Sequence, residues 1–376
     1  MKFIDLFAGI GGFRFGMESV GHECAAFCEI DKFARASYKA IHNTEGELEL
    51  HDITQVTDEE IRNIGHVDVI CGGFPCQAFS IAGHRRGFED TRGTLFFEIA
   101  RFAAILKPKY LFLENVKGLL NHDKGDTFET ILSALDELGY DVEWQVLNSK
   151  DFGVPQNRER VFIIGHLRGE RGRKVFPIGG NGAKIDCEQP KINKVGNIRK
   201  KGKSQSGAVV SVDSLAPTLC STTTQKDPLK ILLAGNLPGT HEQNGRVYDI
   251  NGISPTLNTM QGGGRQPKIR VREATKKGYA EATVGDSVNL SHPNSKTRRG
   301  RVGDGIANTL VTGDSQGVVT PNFRIRKLTP RECWRLQGFP DWAFDKAQEV
   351  NSNSQLYKQA GNSVTVNVIK EIARYL

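Results

Sequence analysis

The sequence has no run of 18 apolar residues, so no segment of it is long enough to cross a bilayer as a helix. It has no CxxC pair among its seven cysteines. The close spacings, Cys24 to Cys28 and Cys71 to Cys76, lack the second Cys/His pair that a zinc site needs. Reduced thiols in a cytoplasmic protein, with no metal, are therefore expected. The start, MKFIDLFAGIGG, has neither the basic region nor the long apolar stretch of a signal peptide, and reads as a first strand entering a glycine loop. Aromatic residues are scarce in one place: residues 176–326 hold only four of them.

That segment differs in other ways. It carries 20 of the 41 glycines, with 22 Lys/Arg against 11 Asp/Glu, a net of +11; the rest of the chain has a net of −4. Positive charge gathered in one segment suggests a polyanion partner, although a solvated basic face has the same composition. The β-like fragments ILLAGN, PKIRV and GVVTP argue for an ordered, loop-rich domain. The 376 residues, 38% of them hydrophobic, suffice for one large domain and a smaller one.

Outside the segment, apolar runs alternate with helical patterns. KFIDLFA, ECAAFCEI, VDVICGG, YLFLENV and RVFIIGHL read as buried strands. GGFRFGMESVG, DKFARASYKAIHN (capped by Asp31), TLFFEIARFAAILK and DTFETILSALDELGY read as helices. This order predicts an α/β fold with a doubly wound, mainly parallel sheet. KLTPRECWRLQGFP predicts a helix opened at Thr329-Pro330, and GNSVTVNVIKEIARYL a glycine turn with a closing helix. The expected division is residues 1–175 with 327–376 as one discontinuous domain, and 176–326 as a second, smaller, loop-rich β domain.

Three features carry chemistry. DLFAGIGGF leaves a strand with glycines at 9, 11 and 12, which lets backbone approach a ligand closely. Glu29 follows at the end of the second strand, where an acid can hold ribose hydroxyls, and Asp52 at the next loop can accept from an exocyclic amine. Together they describe an adenosine site without distinguishing NAD from S-adenosylmethionine. The stretch GGFPCQ then places Cys76 where a strand ends and a loop begins, directly after Pro75. The loop beyond it carries Arg85, Arg86 and Arg92, suited to closing over phosphates. Glu114 ends another strand, and Arg158 and Arg160 enter a third, two apart and so on one face. A thiol, a carboxylic acid and two guanidiniums on one sheet edge make a nucleophile with a proton donor.

DLFAGIGG, GGFPCQ, ENV, QNRER, RKLTPRECWRLQGFP and QAGNSV, in this order, resemble the bacterial and phage DNA (cytosine-5) methyltransferase family. The likeness covers residues 1–168 and 323–376, with the basic segment in the place of the family's variable target-recognition domain. It implies a Rossmann-like, S-adenosylmethionine-dependent methyltransferase acting on double-stranded DNA as a monomer. By resemblance, Cys76 is the nucleophile that adds to cytosine C6. Glu114 binds N3 and the exocyclic amine, and Arg158 and Arg160 support the base and Glu114. The cofactor residues implied are Phe7, Gly9, Gly11, Glu29, Asp52, Ile53, Pro75, Leu95, Asn362 and Val364. The DNA-binding residues expected are Ser80, Arg85, Arg86, Arg92, Arg246 and Arg265. One departure is Ile30, where related enzymes often have an aromatic residue. An RNA cytosine-5 methyltransferase is the alternative, but its CFT tripeptide is absent; a non-catalytic DNA-binding relative is another, opposed by intact Cys76, Glu114 and arginines.

The basic segment also repeats. GAVVSVDSLAPTL (207–219), GRVYDINGISPTL (245–257) and GRVGDGIANTL (300–310) align on Gly, Val and a final Thr-Leu. A strand anchored by Leu and followed by a loop bearing Arg or Gln can meet guanine or adenine edges. A purely structural repeat would leave the same trace. The third copy is shorter, which favours one recognition domain with one target over separate units.

Overall fold

The computed structural model describes residues 1–75, 95–170, 173–178, 268–291, 295, 297–313, 315–321 and 324–376, together with four short strand backbones between 194 and 248. The chain forms two compact units, Met1–Gly180 with Arg270–Leu376, and Asn181–Ile269.

The first unit opens with β1 (Lys2–Leu6), α1 (Gly12–Glu18), β2 (Glu23–Cys28), α2 (Lys32–Ile41), β3 (Leu48–Leu50), α3 (Asp58–Asn63) and β4 (Val69–Gly73). It continues with α4 (Leu95–Leu106), β5 (Tyr110–Val116), α5 (Asp126–Glu137), β6 (Tyr140–Asn148), β7 (Gln156–Asn157) and β8 (Glu159–Leu167). Seven strands form one sheet in the order β3-β2-β1-β4-β5-β8-β6. The first five are parallel, whereas β8 runs antiparallel to both β5 and β6. The strand order reverses between β1 and β4, the switch point at which open α/β sheets bind ligands.

Both faces of the sheet are covered, which is why its strands read as continuous apolar runs. Ile4, Leu6, Ile70, Leu111, Leu113 and Ile163 pack on one face with Ile61 of α3, Phe96, Ile99 and Phe102 of α4, and Phe128, Ile131 and Leu135 of α5. The alternate positions Phe3, Val69, Cys71, Phe112, Phe162 and Ile164 pack on the other with Phe13 and Met17 of α1.

The second unit contains β9 (Lys194–Asn197), β10 (Ala208–Val210), β11 (Leu233–Asn236) and β12 (Arg246–Tyr248), paired as two antiparallel ribbons. Beyond it come β13 (Ile269–Arg272), β14 (Tyr279–Ala282), β15 (Ser287–Asn289), β16 (Val302–Gly303), β17 (Ala307–Asn308), β18 (Gln316–Val319) and β19 (Ile325–Lys327). A four-stranded sheet has the order β16-β15-β18-β19, and β17 pairs with β7. Residues 270–326 thus belong to the first unit although their composition matches the second. Of their small strands β17 is tied to β7 by hydrogen bonds that composition does not record.

The chain closes with α6 (Pro330–Leu336), α7 (Asp341–Val350), α8 (Asn353–Asn362) and α9 (Val366–Ala373). Thr329 caps α6, its side chain accepting from the amide of Glu332 while Glu332 reaches back to the Thr329 amide. Trp334, Phe339, Phe344 and Leu356 form a small core with Ile10 and Ile41. Where the sequence predicts a glycine turn, Gly361 and Asn362 are instead the last residues of α8. α9 returns to the main sheet: Val368, Ile369 and Ile372 join the face that holds Phe13. A Cβ on Gly16 would lie 2.5 Å from Ile369 Cγ2, so the two ends of the chain meet because α1 has no side chain there.

Candidate active site

A cavity of about 400 Å³ opens at the carboxyl ends of β1, β2, β4 and β5. Phe7, Gly9, Glu29, Gly73, Phe74, Pro75, Glu114 and Asn115 line it from those strands, with Arg158 and Arg160 beside them and Lys358, Gln359, Gly361 and Asn362 from α8.

On one side lies an acid–guanidinium pair. Glu114 is opposite Phe162 in the β5–β8 ladder, and Arg160 is two residues from Phe162, so both side chains share a face. Arg160 Nε is 3.0 Å from Glu114 Oε1. Burial pushes the Glu114 carboxyl above its ordinary value, while Arg160 and then Arg158 oppose the shift. Gly73 pairs with Glu114 across β4–β5, and a Cβ there would sit 3.1 Å from Glu114 Oε2; glycine makes room for the carboxylate.

Arg158 is buried too, and burial followed by repulsion from Arg160 lowers its pKa. Its guanidinium donates to the carbonyls of Leu310 at 3.3 Å, Gly361 at 3.2 Å and Ser363 at 2.8 Å. Cys76 follows the exit of β4 by three residues and lies outside the described residues, as do Ser80, Arg85, Arg86, Arg92 and Arg265. What leads toward Cys76 is described: the buried Asn115 donates from Nδ2 to the carbonyl of Phe74 at 2.8 Å. Sequence reasoning used Glu114 of ENV and passed over Asn115, although an amide directly after a functional acid was the available signal. Arg246 starts β12, paired with Asn236 of β11.

The other side fits an adenosine-bearing group. Glu29 accepts from the amides of Gly9 and Asp31, each at 2.8 Å, one on each carboxylate oxygen. Each oxygen keeps a lone pair, so the acid can also take two hydroxyls. Burial raises its pKa against those two amides. Gly9 has φ 57°, and nothing lies within 4 Å of where its Cβ would stand, so the loop offers bare backbone to the cavity. Phe7, at φ 56°, is a non-glycine residue in the left-handed region, held there at the rim of the cavity.

Asp31 caps α2, accepting from the Phe33 amide at 2.9 Å, and pairs with Lys358 at 2.7 Å. Burial disfavours its charge, but Lys358 and the amide outweigh this and hold its pKa below the usual range. Lys358 and Gln359 escaped the sequence reading because only folding brings α8 to α2. Five further expected residues do not line the cavity. Gly11 stands at the start of α1. Asp52 accepts from the amide and hydroxyl of Thr54. Ile53 and Val364 are core residues, and Leu95 packs against the core.

The switch point of a doubly wound sheet thus carries a cavity that joins Glu29 and the bare backbone of the glycine loop to a buried acid–guanidinium pair. The family model of C-5 cytosine-specific DNA methylase matches residues 1–376. The orphan methyltransferase M.SPRI of Bacillus phage SPR is 36% identical, across 100% of this chain and 97% of its own. The type II methyltransferase M.HhaI of Haemophilus parahaemolyticus is 35% identical, across 99% of this chain and 93% of its own. A crystal structure described as a putative DNA modification methyltransferase encoded within an E. coli prophage superposes with a TM-score of 0.51 at 22% identity, covering 100% and 97% of the two chains, and supports the fold.

The chain belongs to the C-5 cytosine-specific DNA methylase family and is a DNA (cytosine-5-)-methyltransferase. The family uses S-adenosylmethionine. Among the described residues there is no cluster that could hold a metal ion, and no helix long and apolar enough to cross a membrane.

Proposed function

We propose that this chain methylates C5 of a cytosine flipped out of duplex DNA, at a specific sequence, through a covalent bond between Cys76 Sγ and cytosine C6. The observation that carries the reading is the Glu114–Arg160 pair, buried in the cavity that also holds Gly9 and Glu29 and beside the strand that leads to Cys76.

S-adenosylmethionine, when bound, supplies an electrophilic methyl group, and Glu29, Gly9, Phe7, Pro75 and Asn362 would hold it. The chain's own residues make C5 reactive. The Cys76 thiolate donates its electron pair to C6, the 5,6 double bond opens, and the electrons move to C5 and N3. Glu114, kept more protonated than a surface glutamate by burial, donates to N3 and accepts from the exocyclic amine. Arg160 holds the Glu114 carboxyl in place. After methylation C5 gives up its proton to solvent, N3 returns its proton to Glu114, the 5,6 double bond re-forms and the C6–S bond breaks, releasing Cys76 as the thiolate. A base inside a duplex is out of reach of this cavity, so it must be turned out of the stack. The loop bearing Arg85, Arg86 and Arg92 closes behind it. Arg246 and Arg265, in the basic segment of residues 176–326, contact the target. The chain works as a cytoplasmic monomer without metal, in a restriction–modification or phage-protection system.

The test is methylation of a complex genome by the purified protein, mapped by bisulfite sequencing, beside Cys76→Ser. Wild type should methylate one motif fully and form a stable adduct with duplexes containing 5-fluorocytosine. Cys76→Ser should bind the same DNA, form no adduct and turn over at under about 1% of the wild-type rate, in line with the loss of a nucleophile. A Cys76→Ser enzyme with more than a few per cent activity would refute the covalent route.

A further inference from the structure

The glycine loop after β1 is a tight turn, and a side chain that does not line the cavity sets its shape. The Gly11 amide donates to the Ala8 carbonyl at 2.8 Å, closing a four-residue turn with Gly9 and Ile10 in its middle. The Ala8 amide is tied to the Cys28 carbonyl at 3.0 Å, and the Gly9 amide to Glu29 Oε2 at 2.8 Å. Gly9 lines the cavity, with open space where a Cβ would stand. Gly11 has no such space. At φ 83° its Cβ would lie 2.2 Å from His42 Nε2 and 3.0 Å from His42 Cδ2, so the imidazole stands where a side chain would be. Gly12 is pressed as well: a Cβ there would lie 2.7 Å from Val364 Cγ2 and 2.8 Å from Ser363 Oγ. The ring of His42 is itself fixed. Its backbone amide donates to the Tyr38 carbonyl at 2.9 Å, at the end of α2. Its ring packs against Phe15 of α1 and Tyr38 of α2, with centroids 4.8 Å and 4.7 Å away. Nε2 lies 3.4 Å from the Ile10 carbonyl, which selects the tautomer with the proton on Nε2. At that length the bond is weak, so the space the ring fills counts for more.

We propose that His42 is a positioning residue for the cofactor: its ring holds the Ala8–Gly11 turn in the shape that presents Gly9 and Glu29 to S-adenosylmethionine. The proposal rests on the function given above and adds to it a residue outside the cavity. Gly11, expected from sequence to touch the cofactor, serves differently: by carrying no side chain it lets His42 reach the turn. Two of the turn's four residues meet the ring, Ile10 through its carbonyl and Gly11 through its bare Cα. Gly9 lies directly before them, and its amide holds one of the two Glu29 oxygens. Without the ring, Ile10 and Gly11 relax into the space it filled, Gly9 leaves the cavity wall and Glu29 loses one of its two amides. Binding the cofactor must then first re-form the turn, and affinity falls by the fraction of molecules in which it is already formed. Once the cofactor is bound the turn is back in place, and the chemistry at Glu114 is unchanged. A ring that only filled the core would affect stability and leave the affinity of the folded enzyme as it was.

The experiment measures S-adenosylmethionine binding by calorimetry, and amide exchange without cofactor, in the full-length wild type, His42→Ala, His42→Gln, Gly11→Ala and the double variant His42→Ala with Gly11→Ala. His42→Ala should raise Kd for S-adenosylmethionine about tenfold, the result of a turn formed in about a tenth of the molecules. Its kcat at saturating cofactor and its Kd for duplex DNA should stay within about twofold of wild type, the pattern of lost ground-state binding. His42→Gln, whose amide nitrogen can take the place of Nε2, should stay within about threefold of wild type in cofactor affinity. Gly11→Ala should cost about tenfold more affinity in the presence of the ring than in the His42→Ala background, where the collision is gone and only left-handed strain remains. A folded His42→Ala enzyme with wild-type cofactor affinity overturns the proposal, and so does a Gly11→Ala change that is equally harmful with and without the ring. If His42→Ala does not fold, Gly11→Ala decides alone, and wild-type affinity in that variant overturns the proposal. A wild type that binds no S-adenosylmethionine would instead sink the functional reading, while faster exchange of the Gly11 amide in His42→Ala would still show that the ring holds the turn.

Discussion

At the scale of single residues, Glu114 concentrates the chemistry. Burial raises its pKa above the ordinary 4.5, against the pull of Arg160 and Arg158. A carboxyl with a raised folded pKa binds its proton more tightly in the native state. Its contribution to stability is therefore fully present below pH 4.5 and is lost as pH rises through the folded value. The same proton is the one offered to cytosine N3, so kcat should decline on the alkaline side of that ionisation. Glu114→Gln can donate an amide hydrogen at any pH but cannot transfer a proton. Its single-turnover rate should fall about 100-fold or more, the scale of a lost general acid, and its alkaline limb should disappear. A variant within threefold of wild type, with the limb intact, would remove Glu114 from proton transfer. Catalytic residue types were legible because a carboxylate at a strand exit and QxRxR are local patterns. The carbonyl cage around Arg158 was not, because its three acceptors come from residues 310, 361 and 363.

At the scale of elements, the strands and helices that the sequence announced are those with two apolar faces or one strong stripe. β1, β4, β5 and β8 are buried on both sides, so their runs admit no other reading. β6 was missed although residues 140–146 alternate apolar and polar strictly: it is an edge strand with Trp144 exposed, and it lacks the continuous apolar run by which the other strands were read. Arg14 was hidden inside a glycine- and phenylalanine-rich helix. It is buried because Glu18, Glu47 and the Asn43 carbonyl satisfy it, and Glu47 lies 33 residues away. His42, just past α2, shows how such packing becomes measurable. It packs beside Phe15 and Tyr38 with Nε2 at 3.4 Å from the Ile10 carbonyl of the glycine loop. Burial, then Arg14, lower its pKa from 6.5 to about 3. A histidine with a depressed folded pKa contributes stability that is present above pH 6.5 and is lost as pH falls toward 3. Urea denaturation should show wild type losing about 2 kcal/mol more than His42→Gln between pH 7 and pH 5. Equal losses would mean that His42 is protonated in the folded protein.

At the scale of the whole molecule, the distribution of charge and the division into units do not coincide, and this bears on how DNA is held. Residues 181–269, the second unit, carry 12 Lys/Arg and 6 Asp/Glu; residues 270–326, within the first unit, carry 10 and 5. The excess of cations is thus shared almost equally across the boundary. If DNA follows the positive charge, both stretches touch phosphates, and neither alone accounts for affinity. Binding that neutralises about six phosphates releases their counterions and gives a log–log slope of affinity on salt near −5, a loss of about a thousandfold between 50 and 200 mM. A slope near −1 would mean that the basic surface does not track the backbone. The share of the first unit can be read separately. Lys276 and Lys277 are exposed in the turn between β13 and β14, away from the cavity residues. Each phosphate contact removed lowers the slope by about 1, so Lys276→Gln with Lys277→Gln should bring −5 to between −4 and −3 while leaving the methylated motif unchanged. An unchanged slope would confine phosphate contact to the other basic residues, and a changed motif would turn this pair from backbone clamps into readers of sequence.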